Sequence, residues 1–75
     1  MIIINGQRYE DGTEPDFGSV KLIGPFHERG ANRYLFKDAD KAKLELLDLA
    51  GDGSLAYCTD KKYWLIKHDG EWVEA

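Results

Sequence analysis

The stretch SLAYCTDKKYWLIKHDGEWVE, Ser54 to Glu74, decides the fold, and it reads as a three-stranded meander. Leu55–Thr59 is a strand, Asp60-Lys61 a turn and Lys62–Lys67 a second strand rich in Tyr63, Trp64 and Ile66. His68-Asp69-Gly70 then turns the chain into a short last strand, Glu71–Glu74. Successive strand side chains point to opposite faces, so Tyr63 and Leu65 share one face and Trp64 and Ile66 the other. Both faces therefore carry apolar bulk. One is expected to meet a helix, the other the N-terminal strands or a second protein.

The helix lies immediately upstream. Ala39, Ala42, Leu46, Leu49 and Ala50 recur at three- and four-residue steps, with Leu47 widening the stripe. Asp38 or Asp40 can accept first-turn N–H groups and places negative charge at the positive end of the dipole. Gly51 stands where a left-handed C-cap is wanted. Three turns are marginal alone, so the stripe needs a sheet to cover it. Further back, Arg33–Lys37 reads as a strand with Tyr34 and Phe36 on one face and Leu35 on the other. Phe17–Ile23 is another strand, stopped by Gly24-Pro25. Ile2–Ile4 turns at Asn5-Gly6 and returns through Gln7-Arg8-Tyr9. The expectation is one domain over residues 1–75, of α+β class. It is a small, mostly antiparallel sheet with one helix, about residues 39–50, packed on it and a C-terminal three-stranded meander.

Composition narrows the function classes. The chain has 75 residues, with ten Lys/Arg against fourteen Asp/Glu, a net charge of −4 and 43% hydrophobic residues. That balance speaks against a nucleic-acid binder, and the apolar content is too high for a disordered segment. A single cysteine forms no internal disulfide, which points to a reducing compartment. Apolar runs stop at four residues, far short of the roughly twenty of a membrane span. Met1 followed by Ile2–Ile4 lacks the basic leader of a signal peptide. Two Trp, four Tyr and three Phe are a large aromatic payload for so short a chain. Either they make the core dense, or a partner or a second copy completes their burial.

Three places carry candidate chemistry. Glu10, Asp11, Glu14 and Asp16 form an acidic loop with no basic residue between them. Charge runs are mostly solvated, but such a loop can also dock on a basic partner or hold a cation. The regular oxygen ladder of a calcium loop is missing. The loop from Gly24 to Arg33 offers Phe26, His27, Arg29, Asn32 and Arg33; guanidinium groups grip phosphate or carboxylate in bidentate fashion. His27, Arg29 and Arg33 are the anion candidates, set against an ordinary mobile surface loop. Finally, Tyr63, Trp64 and Trp72 are the candidate protein-binding surface of the meander. Cys58 with His27 and His68 has no zinc-ligand spacing, and a strand cysteine ordinarily packs as a small apolar residue. The glycines Gly51 and Gly53 follow a helix, whereas a phosphate loop precedes one. No catalytic residue, metal site or cofactor is expected.

Two segments carry a resemblance. Asp11-Gly12-Thr13-Glu14-Pro15-Asp16-Phe17-Gly18-Ser19 resembles the opening of small proteins encoded in bacteriophages and prophages of Firmicutes. Gly53–Tyr57 through Tyr63, then Asp69-Gly70-Glu71-Trp72, is similar to a β-meander of virion- and fibre-associated phage proteins. The match covers about half the chain and leaves out residues 20–50. The resemblance implies phage origin, location in the virion or host cytoplasm, and a non-enzymatic binding or assembly role. Its partners would be phage structural proteins or a host protein, with self-association in view. The alternative it admits is an inhibitor of a host defence system that binds a host protein or a nucleotide signal.

Overall fold

Two Asx-Gly dipeptides place the tightest hairpins. In the computed structural model, which describes residues 1–75, Asn5 and Gly6 both take positive φ (51° and 82°), as do Asp69 and Gly70 (50° and 78°). Positive φ at both central residues is what a type I′ turn requires, and its twist matches that of the flanking strands. The first turn joins β1 (Ile2–Ile4) to β2 (Gln7–Tyr9), a separate two-stranded ribbon. The second joins β6 (Tyr63–His68) to β7 (Glu71–Glu74).

The main sheet has five strands in the order β3-β4-β5-β6-β7, with β3 at Lys21–Ile23, β4 at Arg33–Phe36 and β5 at Leu55–Cys58. All neighbouring pairs are antiparallel except β4–β5, which are parallel. A parallel pair needs a long crossover, and the helical segment supplies it. The class is α+β, with a C-terminal meander of β5 to β7. The strand expected over Phe17–Ile23 narrows to Lys21–Ile23, because Phe17 and Val20 leave the ladder and bury themselves in the core instead.

The crossover corrects the expected helix. It is a 3-10 helix over Asp38–Leu46, and its pattern continues as turns in which Leu47 N–H donates to Leu44 O and Ala50 N–H to Leu47 O. With three residues per turn, the inward positions are Leu44, Leu47 and Ala50, all buried, while Ala39 and Ala42 face solvent. Neither Asp38 nor Asp40 caps the helix; its N-cap is Lys37, without a side-chain bond. Asp40 instead accepts from the amide and hydroxyl of Ser19. Gly51 does not take a left-handed conformation either. A Cβ there would collide with the Arg29 carbonyl, and Gly51 N–H donates to Gly30 O at 2.9 Å. Close approach of two backbones is the reason for this glycine.

The core lies between one face of the sheet and the crossover. Tyr34, Phe36, Ala56, Cys58 and Leu65 point inward from β4, β5 and β6 against Leu44, Leu47, Phe17 and Val20. Buried polar side chains tie the pieces together. Gln7 donates to Leu46 O and accepts from Leu49 N–H at 2.9 Å, fastening the ribbon to the crossover. Asn32 accepts from His27 N–H at 2.7 Å and donates back to His27 O at 2.8 Å, and Ser54 bonds Asn32 N–H at 3.0 Å.

Candidate protein-binding face

The opposite face of the sheet is covered by nothing else in the chain. The register places Ile23, Arg33, Leu55, Ile66 and Val73 in one row across all five strands. The next row runs Lys21, Leu35, Tyr57 and Trp64. Trp64, Val73 and Ile23 are 46%, 40% and 36% exposed, and Leu35, Leu55, Tyr57 and Ile66 are half-buried. An antiparallel sheet with one solvated face normally alternates apolar-in, polar-out. Here the outward set is apolar through its centre. Tyr57 and Trp64, directly paired across β5 and β6, hold their ring centroids 4.8 Å apart at 47°. Beside them lies an open hollow of about 470 Å³ with Leu55, Trp64 and Ala75 in its wall. Charge on this face comes from Lys21 on the edge strand β3, Arg33 beside Leu55, Glu71 on β7 and Glu74 in the wall of the hollow.

Of the three aromatics expected to form one surface, only Trp64 stands on this face. Trp72 is paired with Lys67, so it falls on the inward side with Leu65. Its indole N–H donates to Leu44 O at 3.2 Å, and its ring meets Tyr34 edge-on with centroids 6.2 Å apart. Tyr63 also turns inward, edge-on to Phe36, and its hydroxyl donates to Asp38 Oδ1 at 2.8 Å. Burial, then the neighbouring Asp38 carboxylate, pushes the Tyr63 phenol pKa up. The period-two alternation already separated Tyr63 from Trp64. What sequence reading missed was the register that sends Trp72 inward, together with the part taken by Leu35, Leu55 and Tyr57.

The acidic loop is largely engaged with its own chain. Asp11 lies 3.0 Å from the Met1 amino group, and Glu14 accepts from Gly12 N–H at 2.9 Å. Asp16 accepts from Gly18 N–H and sits 3.4 Å from Lys43, which also lies 3.4 Å from Asp40. The Gly18 amide, then Lys43, holds the Asp16 carboxyl below its usual range. The Ser19 hydroxyl and amide do the same for Asp40, with Lys43 adding to them. Burial pulls Lys43 down, yet the two carboxylates outweigh it and raise its pKa. Glu10 side-chain oxygens make no bond within the chain.

The anion-candidate loop is hydrogen-bonded to itself and to the crossover. Asn32 spends its amide on His27, and Arg29 N–H donates to Leu49 O at 2.8 Å. His27 and Arg33 share the wall of a hollow of about 270 Å³ with Ile23, Gly24, Pro25 and Ala31; Arg29 is not part of it. Cys58 is fully buried, and its thiol donates to Asp60 Oδ1 at 3.0 Å. That thiol, then the Asp38 amide, lowers the Asp60 pKa. His68 lies 3.5 Å from Asp69 on the exposed β6–β7 turn. No three His, Cys, Asp or Glu side chains come together as a metal-holding group, and no helix is long and apolar enough to cross a membrane.

Comparison with family models, with curated proteins and with solved structures finds no match to this chain.

Proposed function

We propose that the chain is a non-enzymatic bacteriophage protein that works through protein–protein contact, in the virion or in its assembly, and that the open face of the five-stranded sheet is its contact surface. The observation that carries this reading is the apolar centre of that face around Trp64, Tyr57, Leu55 and Ile66. Contiguous exposed apolar surface rimmed by charge is how interaction sites differ from ordinary solvated surface. Aromatic anchors at the centre of such a patch dominate binding energies. Phage origin rests on the two resembling segments, Asp11–Ser19 and the meander from Gly53 to Trp72.

The test is recovery of partners from cells producing phage particles, using the wild-type chain and Trp64→Lys as paired baits. Capsid or tail components captured by the wild type and lost with Trp64→Lys support the proposal. Recovery that is indifferent to Trp64, or recovery of a host defence protein in place of virion components, overturns it.

A further inference from the structure

We propose that the hollow between the β3–β4 loop and Arg33 is a binding site for a small organic phosphate monoester, whose phosphoryl group is held by Arg33 and His27. This site does not depend on the contact reading of the open sheet face.

The charge of the hollow runs against that of the chain. The protein carries a net charge of −4, yet the hollow, about 270 Å³, has Arg33 and His27 in its wall and no carboxylate. Ile23, Gly24, Pro25 and Ala31 complete the wall. Ile23 and Arg33 are directly paired across β3 and β4, and Lys21, on the same face, lies diagonally from Arg33, about 7–8 Å away. The ion pairs of the chain are Met1–Asp11, Lys43–Asp16, Lys43–Asp40 and His68–Asp69, so Lys21, His27 and Arg33 have no internal counter-charge. The neighbouring acids are engaged elsewhere. Glu28, next to His27, lines a different hollow with Arg8, Phe26 and Leu49, and Asp52 accepts from Gly70 N–H at 3.2 Å. A concave cluster of one sign of charge concentrates ions of the other.

Hydrogen bonds within the chain set the wall. Asn32, only 2% exposed, accepts from His27 N–H and donates to His27 O. Gly30 N–H closes the turn by donating to His27 O at 2.9 Å, with Arg29 at positive φ (55°). Buried Ser54 bonds both Asn32 N–H and Gly30 O. Donors already set in place spare a ligand part of the ordering cost.

The chemistry selects a phosphoryl group. Guanidinium is a planar fork that takes two oxygens, and an imidazole N–H can take a third. A carboxylate has two oxygens, and the fork alone uses both. A phosphate monoester also carries nearly two charges at neutral pH, where a carboxylate or a phosphodiester carries one. Ile23, Pro25 and Ala31 offer the organic part an apolar surface. The volume, just under the roughly 300–1,000 Å³ of drug-sized sites, limits that part to one small group.

The test is an amide-shift titration by two-dimensional NMR at neutral pH and constant ionic strength, with phenyl phosphate as the probe. Inorganic phosphate, dimethyl phosphate and acetate are titrated beside it, and the spectra themselves report that each variant is folded. Phenyl phosphate is expected to move the amides of Gly24, His27, Ala31 and Arg33 saturably, with a Kd in the millimolar range. Arg33→Gln weakens binding about tenfold and His27→Gln about threefold, whereas Arg29→Gln, the same charge change in the same loop, leaves it unchanged. Shifts that fail to saturate, that spread over exposed Lys and Arg alike, or that ignore Arg33→Gln overturn the proposal. Dimethyl phosphate or acetate binding as tightly as phenyl phosphate overturns the assignment to a monoester, as does inorganic phosphate binding equally well.

Discussion

Gln7 holds the N-terminal ribbon to the rest of the molecule with both ends of one amide. It is buried, donates to Leu46 O and accepts from Leu49 N–H at 2.9 Å. Those backbone groups lie where the 3-10 segment ends; Leu46 O also accepts from Asp48 N–H at 3.0 Å, whereas Leu49 N–H has Gln7 as its partner. Removing the amide leaves the Leu49 N–H unsatisfied and takes one of two donors from Leu46 O, and an orphaned buried donor costs more than an average hydrogen bond is worth. Gln7→Ala is therefore expected to lower the unfolding free energy by about 2–3 kcal/mol in a urea titration, against about 0.5 kcal/mol or less for Arg8→Ala next to it. Asn32 and Asn5 act in the same manner. The Asn5 side chain accepts from Leu22 N–H at 2.8 Å and donates to Val20 O, which blunts the outer edge of β3 against strand addition.

At the scale of elements, the alternation of strand side chains sorts the two tryptophans into different roles. Trp72 on β7 closes the core over Tyr34 and bonds Leu44 O, whereas Trp64 on β6 rests on Tyr57 with nearly half its surface exposed. Truncating Trp72 to Ala opens a cavity under the crossover and removes the indole bond to Leu44 O, so a loss of about 3–4 kcal/mol is expected. Trp64→Ala removes mainly cross-strand contact with Tyr57 and is expected to cost about 1 kcal/mol. Thermal melts of dilute protein distinguish them, since each kcal/mol moves the midpoint by about 4–8 °C in a domain of this size. Equal shifts for the two variants would contradict the assignment of faces. The crossover itself is short and tight, and its three-residue repeat is what brings Leu44, Leu47 and Ala50 over the sheet.

Across the whole molecule, three carboxylates are held by hydrogen bonds from backbone amides and from the Ser19 hydroxyl and Cys58 thiol. Asp16, Asp40 and Asp60 all lie below their ordinary value of 3.8, held there by hydrogen bonds from Gly18, Ser19 and Cys58 respectively. The folded chain thus binds fewer protons than the unfolded chain near that pH. The stability these groups contribute is present above about pH 4 and is lost as the pH falls through their folded values. Urea midpoints measured between about pH 2 and pH 6 are expected to fall on the acid side. Asp40→Asn flattens that fall, because the amide can no longer serve Ser19 and Lys43 as a charged acceptor. An acid limb unchanged by Asp40→Asn would show that the Ser19–Asp40–Lys43 contact does not link folding to protonation.

Much of this architecture is legible in order along the chain. Asn5-Gly6 and Asp69-Gly70 announce their turns because few residues tolerate positive φ, and the alternation in Tyr63–Ile66 announces a strand with two apolar faces. The α+β class and the meander follow from those local preferences. The acidic loop, read from its charges alone, folds its carboxylates onto neighbours that composition does not reveal. Tertiary structure alone decided the 3-10 geometry of the crossover, the parallel pairing of β4 with β5, and the burial of Trp72. Local sequence sets which backbone conformations are accessible, whereas pairing and burial depend on which distant surfaces meet. The sheet presents an uncovered apolar face for the same reason: the crossover and ribbon are long enough to shield one side, and both were drawn to that side by the core.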